Sequence, residues 1–255
     1  MDTEYLRRIC CEGIPFQKDT SNKLSTASAY TFELLTDKDF WLAHFVICWQ
    51  EMCNEKNIKI NLKPLIQSLY FILNSFYIQY DLPSMIDKSN RNGKPCIHVF
   101  FNESISHLIT ICLTSEAYKH ILHHYDDDTI DILELIGIIQ NEIKQYKLES
   151  ISYQRIQYIQ SNYQDRQEIK KILENDLILN QIRLFNIAMK SIIVLGNFNK
   201  DIGEELCHVL ENIMRNIYTN GIIPKKAKNI FKEIIQKLGL DYTYLNRFWS
   251  ILSNE

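Results

Sequence analysis

The densest group of side chains that could do chemistry lies between His120 and Asp131, where three histidines are followed by a run of acids. In a helical conformation His120, His124 and Asp127 share one face, at positions i, i+4 and i+7. Imidazole nitrogens and carboxylate oxygens on one face can bind a single divalent cation. The candidate metal ligands are His120, His124, Asp127, Asp128 and Asp131.

The same residues also have an explanation that involves no metal. The histidines can lie at the solvent-exposed end of one helix while the acids cap the next helix, where free amides and the helix dipole stabilise negative charge. Capping alone accounts for acids at such a position, so it is the simpler interpretation. The cluster therefore admits a divalent metal without requiring one, and no other cofactor is indicated.

Within this cluster, Asp127-Asp128-x-x-Asp131 resembles the aspartate-rich motif of the all-helical terpenoid synthases. In that family the carboxylates hold magnesium ions against a diphosphate, because hard oxygen ligands and phosphate oxygens share the coordination shell. The family's second metal motif is expected downstream, where Asn197, Asp201 and Glu205 only approximate it and lack its serine or threonine. The chain is also shorter than is usual for that family. The resemblance implies a magnesium-dependent enzyme.

A second polar group lies near the end of the sequence, where basic and aromatic residues alternate. Cations can neutralise phosphates and aromatic rings can stack on bases, so this segment is a candidate nucleic-acid surface. Its basic members are Lys225, Lys226, Lys228, Lys232 and Arg247, interleaved with Phe231, Tyr242, Tyr244, Phe248 and Trp249. The alternative is that the lysines form the solvated face of an amphipathic helix and the aromatics lie in the core.

Other catalytic signatures are missing from the sequence. It contains no glycine-rich phosphate loop and no Gly-x-Ser-x-Gly turn that would support a serine nucleophile. The seven cysteines are odd in number and include no Cys-x-x-Cys pair, so neither a disulfide framework nor a zinc site is indicated. These absences weigh against an enzyme without deciding the question.

The elements that would position these groups are predicted to be helices. Glycine (7) and proline (5) are scarce, and apolar residues recur with helical spacing over 42–53, 65–80, 132–143, 206–217 and 227–238. The fold class is therefore mainly α, either an irregular helical bundle or a short α-solenoid of helical hairpins. At most one small β-hairpin is expected, near 96–113, where 96–101 would pair with 108–113.

The predicted organisation has four parts. Residues 1–23 form an N-terminal segment that is expected to be mobile, and residues 24–86 form a first helical part. The turn-rich loop 87–95 is a candidate boundary, and residues 96–255 form a second helical part.

A faint internal period runs through the second part. Ala117-Tyr118-x-x-Ile121, Ser152-Tyr153-x-x-Ile156 and Phe185-Asn186-x-x-Met189 recur 35 and 33 residues apart. Over residues 115–240 the chain thus resembles helical-hairpin repeats of the tetratricopeptide or pentatricopeptide kind. Proteins with such repeats bind peptides or RNA on a concave face, so the resemblance implies a macromolecular partner.

Composition limits the remaining choices. A net charge of −3 does not indicate nucleic acid or an anionic membrane as partner, and the acidic start of the chain does not resemble a secretory signal. We therefore expect a soluble, cytoplasmic protein with no membrane partner. The leading hypothesis is a non-enzymatic scaffold whose helical surface engages another protein. The alternatives are an RNA-binding helical-repeat protein and a divalent-metal-dependent enzyme centred on 120–131, and the oligomeric state is left open.

Overall fold

A computed structural model describes residues 3–12, 22–125, 130–160 and 166–252 of the chain. Its helices are α1 (Thr3–Cys11), α2 (Lys23–Glu33), α3 (Trp41–Glu55), α4 (Lys63–Asp81), α5 (Ile97–Phe100), α6 (Glu103–His124), α7 (Ile132–Gln160), α8 (Arg166–Leu195), α9 (Lys200–Asn220), α10 (Lys225–Lys237) and α11 (Asn246–Leu252). Two 3₁₀ turns, Asp37–Phe40 and Tyr242–Leu245, precede α3 and α11. The mainly α prediction is confirmed.

The described residues contain one small β-ribbon, but it lies before the segment where a hairpin was expected. Strands β1 (Asn90–Arg91) and β2 (Lys94–Pro95) pair antiparallel. Asn92 and Gly93 join them with φ values of 51° and 79°, as a two-residue hairpin turn requires. The predicted pairing within 96–113 is wrong, because α5 and the first half of α6 occupy most of those residues.

The polar side chains of α6 find hydrogen-bond partners within the helix, although its sequence is rich in β-branched residues. The Asn102 side chain caps the helix by accepting from the Ile105 amide at 2.8 Å. Farther along, the Thr110 hydroxyl donates to the Ser106 carbonyl and the Thr114 hydroxyl to the Thr110 carbonyl, each at 2.9 Å. These polar groups are satisfied within the helix, so nothing in the segment needs a strand partner.

The chain divides into two compact units, and the first comprises residues 1–46 and 61–127. Its central element is α4, which is buried over all but two of its residues and packs against α6. The buried Ser68 hydroxyl of α4 donates to the Ala117 carbonyl of α6 at 3.1 Å. The candidate boundary 87–95 lies within this unit, and residues 13–21 of the expected mobile segment lie outside the described residues.

The second unit comprises residues 47–60 and 128–255. Helix α8 packs against α7 and α9, and α9 packs against α10. Gly203 permits a close approach of α9 to α8, since a Cβ at this position would lie 2.9 Å from Cγ1 of Ile193. Among the described helices of both units, none is sufficiently long and apolar to cross a membrane.

The recurring triplets over 115–240 do not mark helical hairpins. Ala117, Ser152 and Phe185 lie in the second halves of α6, α7 and α8, whereas a hairpin repeat would place each at the start of a helix. Helices α7 and α8 are 29 and 30 residues long, so one helix fills most of a period that should contain two. The predicted repeat organisation is therefore wrong.

Candidate functional site

The last turns of α6 hold the three histidines of the predicted cluster, and contacts with α4 fix their position. Immediately after α6, the buried Tyr125 hydroxyl donates to the Asn61 carbonyl at 2.7 Å and accepts from the Leu65 amide at 3.2 Å. The His120 ring packs edge-on against Phe71 of α4, with ring centroids 5.9 Å apart. The C-terminal end of α6 is thereby attached to the first half of α4.

Hydrogen bonds determine which nitrogen of each imidazole can bind a metal. Gln67 donates through Nε2 to the Glu12 carbonyl at 3.0 Å, so its Oε1 is the atom that lies 2.5 Å from Nε2 of His120. The hydrogen of His120 is therefore on Nε2, and its lone pair is on Nδ1. In His124, Nδ1 donates to the His120 carbonyl at 2.9 Å, which leaves the lone pair on Nε2.

His120 is neutral at physiological pH. Burial, together with the neighbouring His124 and His123 and with Lys119 and Lys63, lowers the pKa of His120 to about 4. A neutral imidazole is the form that binds a metal, because the lone pair is not protonated. The rings of His120 and His124 lie 4.2 Å apart between centroids, so the helix brings two imidazoles together.

The acidic half of the predicted cluster is described only at its end. Asp126, Asp127 and Asp128 lie outside the described residues. Asp131 caps α7 by accepting, through Oδ1, a hydrogen bond from the Glu134 amide at 2.9 Å. The described part of the chain contains no group of three or more His, Cys, Asp or Glu side chains that could hold a metal ion.

A polar site that the sequence analysis missed lies where α4 ends. The Asp81 carboxylate accepts two hydrogen bonds from Arg91, at 2.8 Å from Nε and 2.7 Å from Nη2. Cys96 donates its thiol hydrogen to the same carboxylate at 3.3 Å. Burial and the nearby Asp81 charge raise the pKa of Cys96 to about 12, so its thiol is not a nucleophile at neutral pH.

This site continues towards the start of α3 through aromatic side chains. The Arg91 guanidinium lies 4.0 Å from the Tyr77 ring centroid, and the Tyr77 hydroxyl donates to Asp39 at 3.0 Å. The Asn92 side chain donates to the Leu34 carbonyl at 2.7 Å. Because both carboxylate oxygens of Asp81 are hydrogen-bonded, this network stabilises the fold and does not present a free carboxylate to a ligand. The sign of this site in the sequence was Asp81, a single acidic residue that directly follows the uncharged residues 65–80.

A third charged group lies in the second unit. Glu142 of α7 is buried and forms ion pairs with Arg183 at 3.1 Å and Lys190 at 3.2 Å, both on α8. Lys190 also lies 3.7 Å from Glu204 of α9. Each cation is matched by a carboxylate, so the group joins three helices and leaves no unbalanced charge for a substrate.

The predicted nucleic-acid surface is only half present. Lys225, Lys226 and Lys232 are exposed on α10, but most of the interleaved rings are not accessible to bases. Phe231, Tyr242, Phe248 and Trp249 are all buried. Arg247 belongs to α11, and Lys228 lies 5.8 Å from the Trp249 ring centroid. These four aromatics are core residues, whereas Tyr244 is half-buried.

Solved structures provide the next comparison. The chain is similar to an FPP/GFPP synthase from Zymomonas mobilis, with 17% identity, a TM-score of 0.59, and coverage of 98% of this chain and 91% of that one. It is also similar to an isoprenoid synthase family member from Thermotoga neapolitana, with 14% identity, a TM-score of 0.62, and coverage of 99% of this chain and 96% of that one. A third similar structure is a Helicobacter pylori geranyltransferase, solved with magnesium and isoprenyl diphosphate. Its identity is 13% and its TM-score 0.60, and the match covers 98% of this chain and 93% of that one. No protein-family model and no curated protein matches the sequence.

These similarities identify the fold as the all-α isoprenoid synthase fold. They overturn the resemblance to tetratricopeptide and pentatricopeptide repeats, since the structures that share the fold are described as synthases and transferases. The hypotheses of a protein-binding scaffold and of an RNA-binding repeat protein are wrong for the same reason.

Proposed function

We propose that the protein is a divalent-metal-dependent enzyme that acts on an isoprenyl diphosphate. The observation that carries this proposal is the match of the fold over 98% or more of the chain to isoprenoid synthases, one of them solved with magnesium and isoprenyl diphosphate. A match over the whole chain supports the proposal better than a shared substructure would. Because a fold can host several functions, the site residues have to be tested directly.

The proposed ligand set is the predicted cluster: His120, His124, Asp127, Asp128 and Asp131. The described histidines are compatible with this role, since His120 is neutral with its lone pair on Nδ1, and the Nδ1 of His124 donates to the His120 carbonyl, so that its Nε2 is not used in that bond. The described residues alone do not form a set of three, so Asp127 and Asp128 are needed to complete it. A bound divalent cation would neutralise the oxygens of a diphosphate.

The first test measures binding and turnover separately. Geranyl diphosphate is titrated into the protein by calorimetry with magnesium, with manganese and with chelator, and release of inorganic diphosphate is then followed with an isoprenoid co-substrate. We expect binding that needs the metal and release of diphosphate on turnover. Absence of binding in all three conditions would contradict the proposal, and binding without turnover would contradict its catalytic part.

The second test places the ligands. Asp127→Ala with Asp128→Ala should abolish metal-dependent binding while the circular dichroism spectrum retains full helicity. The matched control is Glu51→Ala with Glu55→Ala, which removes two acids from α3 outside the proposed ligand set. Equal loss of binding in both double variants would show that net charge, and not the cluster, determines affinity.

A further inference from the structure

The corner between α9 and α10 carries an unusual concentration of positive charge. From Asn212 to Lys232 the chain contains five cations and no acid, although its net charge is −3. One of the five, Arg215, forms an ion pair with Glu211 at 2.7 Å. The other four, Lys225, Lys226, Lys228 and Lys232, form no ion pair with any described residue of the protein. The corner is therefore a cationic patch on an acidic protein.

An exposed apolar residue lies at the tip of this corner. Gly221 ends α9 in the left-handed conformation, with φ of 66°, and Pro224 immediately precedes α10. Between them Ile222 is 66% exposed, one of the most exposed large apolar residues in the described chain. An isoleucine in this position exposes apolar surface to water, a cost that a polar residue would avoid.

The lysines are arranged around the tip in two groups. Lys225, Lys228 and Lys232 follow i, i+3 and i+7 and form one stripe along α10. Lys226 lies on the other flank, where it borders a groove of about 450 Å³ between α9 and α10. The side chains of His208, Asn212 and Asn216 also line this groove. A cation, an imidazole and two amide groups are suited to an anionic, hydrogen-bonding head group.

The lysines at the start of α10 are not explained by a stabilising effect on the helix. Its first turn contains two lysines and no acid, whereas the positive end of the helix dipole favours acids there. The lysines are thus placed against the local electrostatic preference, next to an exposed isoleucine. Apolar residues flanked by cations are the composition that binds the interface of an anionic bilayer.

We propose that the α9–α10 corner docks on the surface of an anionic phospholipid bilayer. Ile222 inserts among the head groups, Lys225 and Lys226 contact lipid phosphates beside it, and the stripe along α10 adds long-range attraction. This contact requires no membrane-spanning helix, and it replaces the expectation from the sequence that no membrane is a partner. It is independent of the proposed enzymatic activity, since none of its residues belongs to the proposed metal-ligand set.

Vesicle sedimentation with the full chain tests the proposal. The protein is mixed with sucrose-loaded vesicles of phosphatidylcholine alone, or with one third phosphatidylglycerol, at low and physiological salt. We expect sedimentation with the anionic vesicles only, and less of it as salt is added. Lys225→Ala with Lys226→Ala should weaken partitioning about 30-fold, because each lysine near an anionic surface contributes about 1 kcal/mol. Ile222→Ser should weaken it about fivefold.

Matched controls make the result specific to the corner. Lys144→Ala with Lys147→Ala removes two exposed lysines of α7, and Ile111→Ser replaces an isoleucine of α6 that is 63% exposed. Both controls should sediment like the wild type. Equal loss in the control and corner variants would overturn the proposal, as would displacement from vesicles by inorganic phosphate at physiological concentration. Retention of an oligonucleotide by the wild type, with no vesicle binding, would also overturn it in favour of a nucleic-acid surface.

Discussion

Arg91 and Asp81 form a bidentate ion pair, with hydrogen bonds of 2.8 and 2.7 Å and side chains only 8% and 4% exposed. Arg91 comes from the small β-ribbon, and Asp81 is the last residue of the central helix α4. The pair therefore attaches the ribbon to the core of the first unit. Charges so deeply buried are tolerated only when both partners are present.

The first prediction concerns this pair. Arg91→Met should lower the free energy of unfolding by about 3–5 kcal/mol, because it leaves the Asp81 charge buried without its partner. Asp81→Asn combined with Arg91→Met should recover much of that loss, since no uncompensated charge remains. Urea denaturation followed by circular dichroism measures both values. If the double variant is no more stable than Arg91→Met alone, charge compensation is not what the pair provides.

The second prediction is a pH dependence that arises from His120. Its pKa in the folded protein is about 4, below the ordinary value of 6.5, so the folded state favours the neutral ring. The stability that this residue contributes is fully present above pH 6.5 and is lost as pH falls from 6.5 to 4. With allowance for partial exposure, the loss should be on the order of 2 kcal/mol.

Comparison with a variant isolates this contribution. His120→Gln keeps a hydrogen-bonding group beside Gln67 and removes the titration. The difference in unfolding free energy between wild type and variant, measured from pH 7 to pH 4, should therefore shrink as pH falls. A constant difference over this range would show that His120 titrates normally.

The fold class could be predicted because amphipathic helices show their buried face in the sequence. α9 and α10 were predictable in this way, since each has one apolar stripe and a polar opposite face. α6 was not, because its apolar residues surround the helix and its isoleucines and threonines are typical of a strand. The threonine hydroxyls bond to carbonyls of the preceding turn, which only the folded structure reveals.

The candidate site was predictable in part for a related reason. His120 and His124 are close in sequence, so helical spacing alone brings them together. Asp81 and Arg91 meet because the loop 82–89 folds back to the end of α4, which spacing does not show. Glu142 and Arg183 are separated by 41 residues and meet only through helix packing. Contacts of this kind are set by tertiary structure, for which one sequence carries no direct signal.

The third prediction compares two helical glycines. Gly203→Ala should destabilise the second unit by about 1–3 kcal/mol, because the new Cβ would lie 2.9 Å from Cγ1 of Ile193. Gly137→Ala on the exposed face of α7 meets no atom within 4 Å and should stabilise the protein by about 0.5–1 kcal/mol. Thermal unfolding of both variants measures the opposite signs, and a stabilising Gly203→Ala would show that α8 and α9 can separate without cost.

The fourth prediction compares two glutamates of α7 that differ in burial. Glu142 is 3% exposed and neutralises Arg183 and Lys190, whereas Glu134 is 27% exposed and pairs with Lys200, which is 69% exposed. Glu142→Gln leaves two partly buried cations without a counter-charge, so it should cost about 2–4 kcal/mol of unfolding free energy. Glu134→Gln removes a solvent-screened pair and should cost less than about 1 kcal/mol. Urea denaturation at low and high salt separates the two, because salt should reduce only the effect of Glu134→Gln. Equal costs for the two substitutions would mean that water reaches Glu142 and that the group joining α7, α8 and α9 opens in solution.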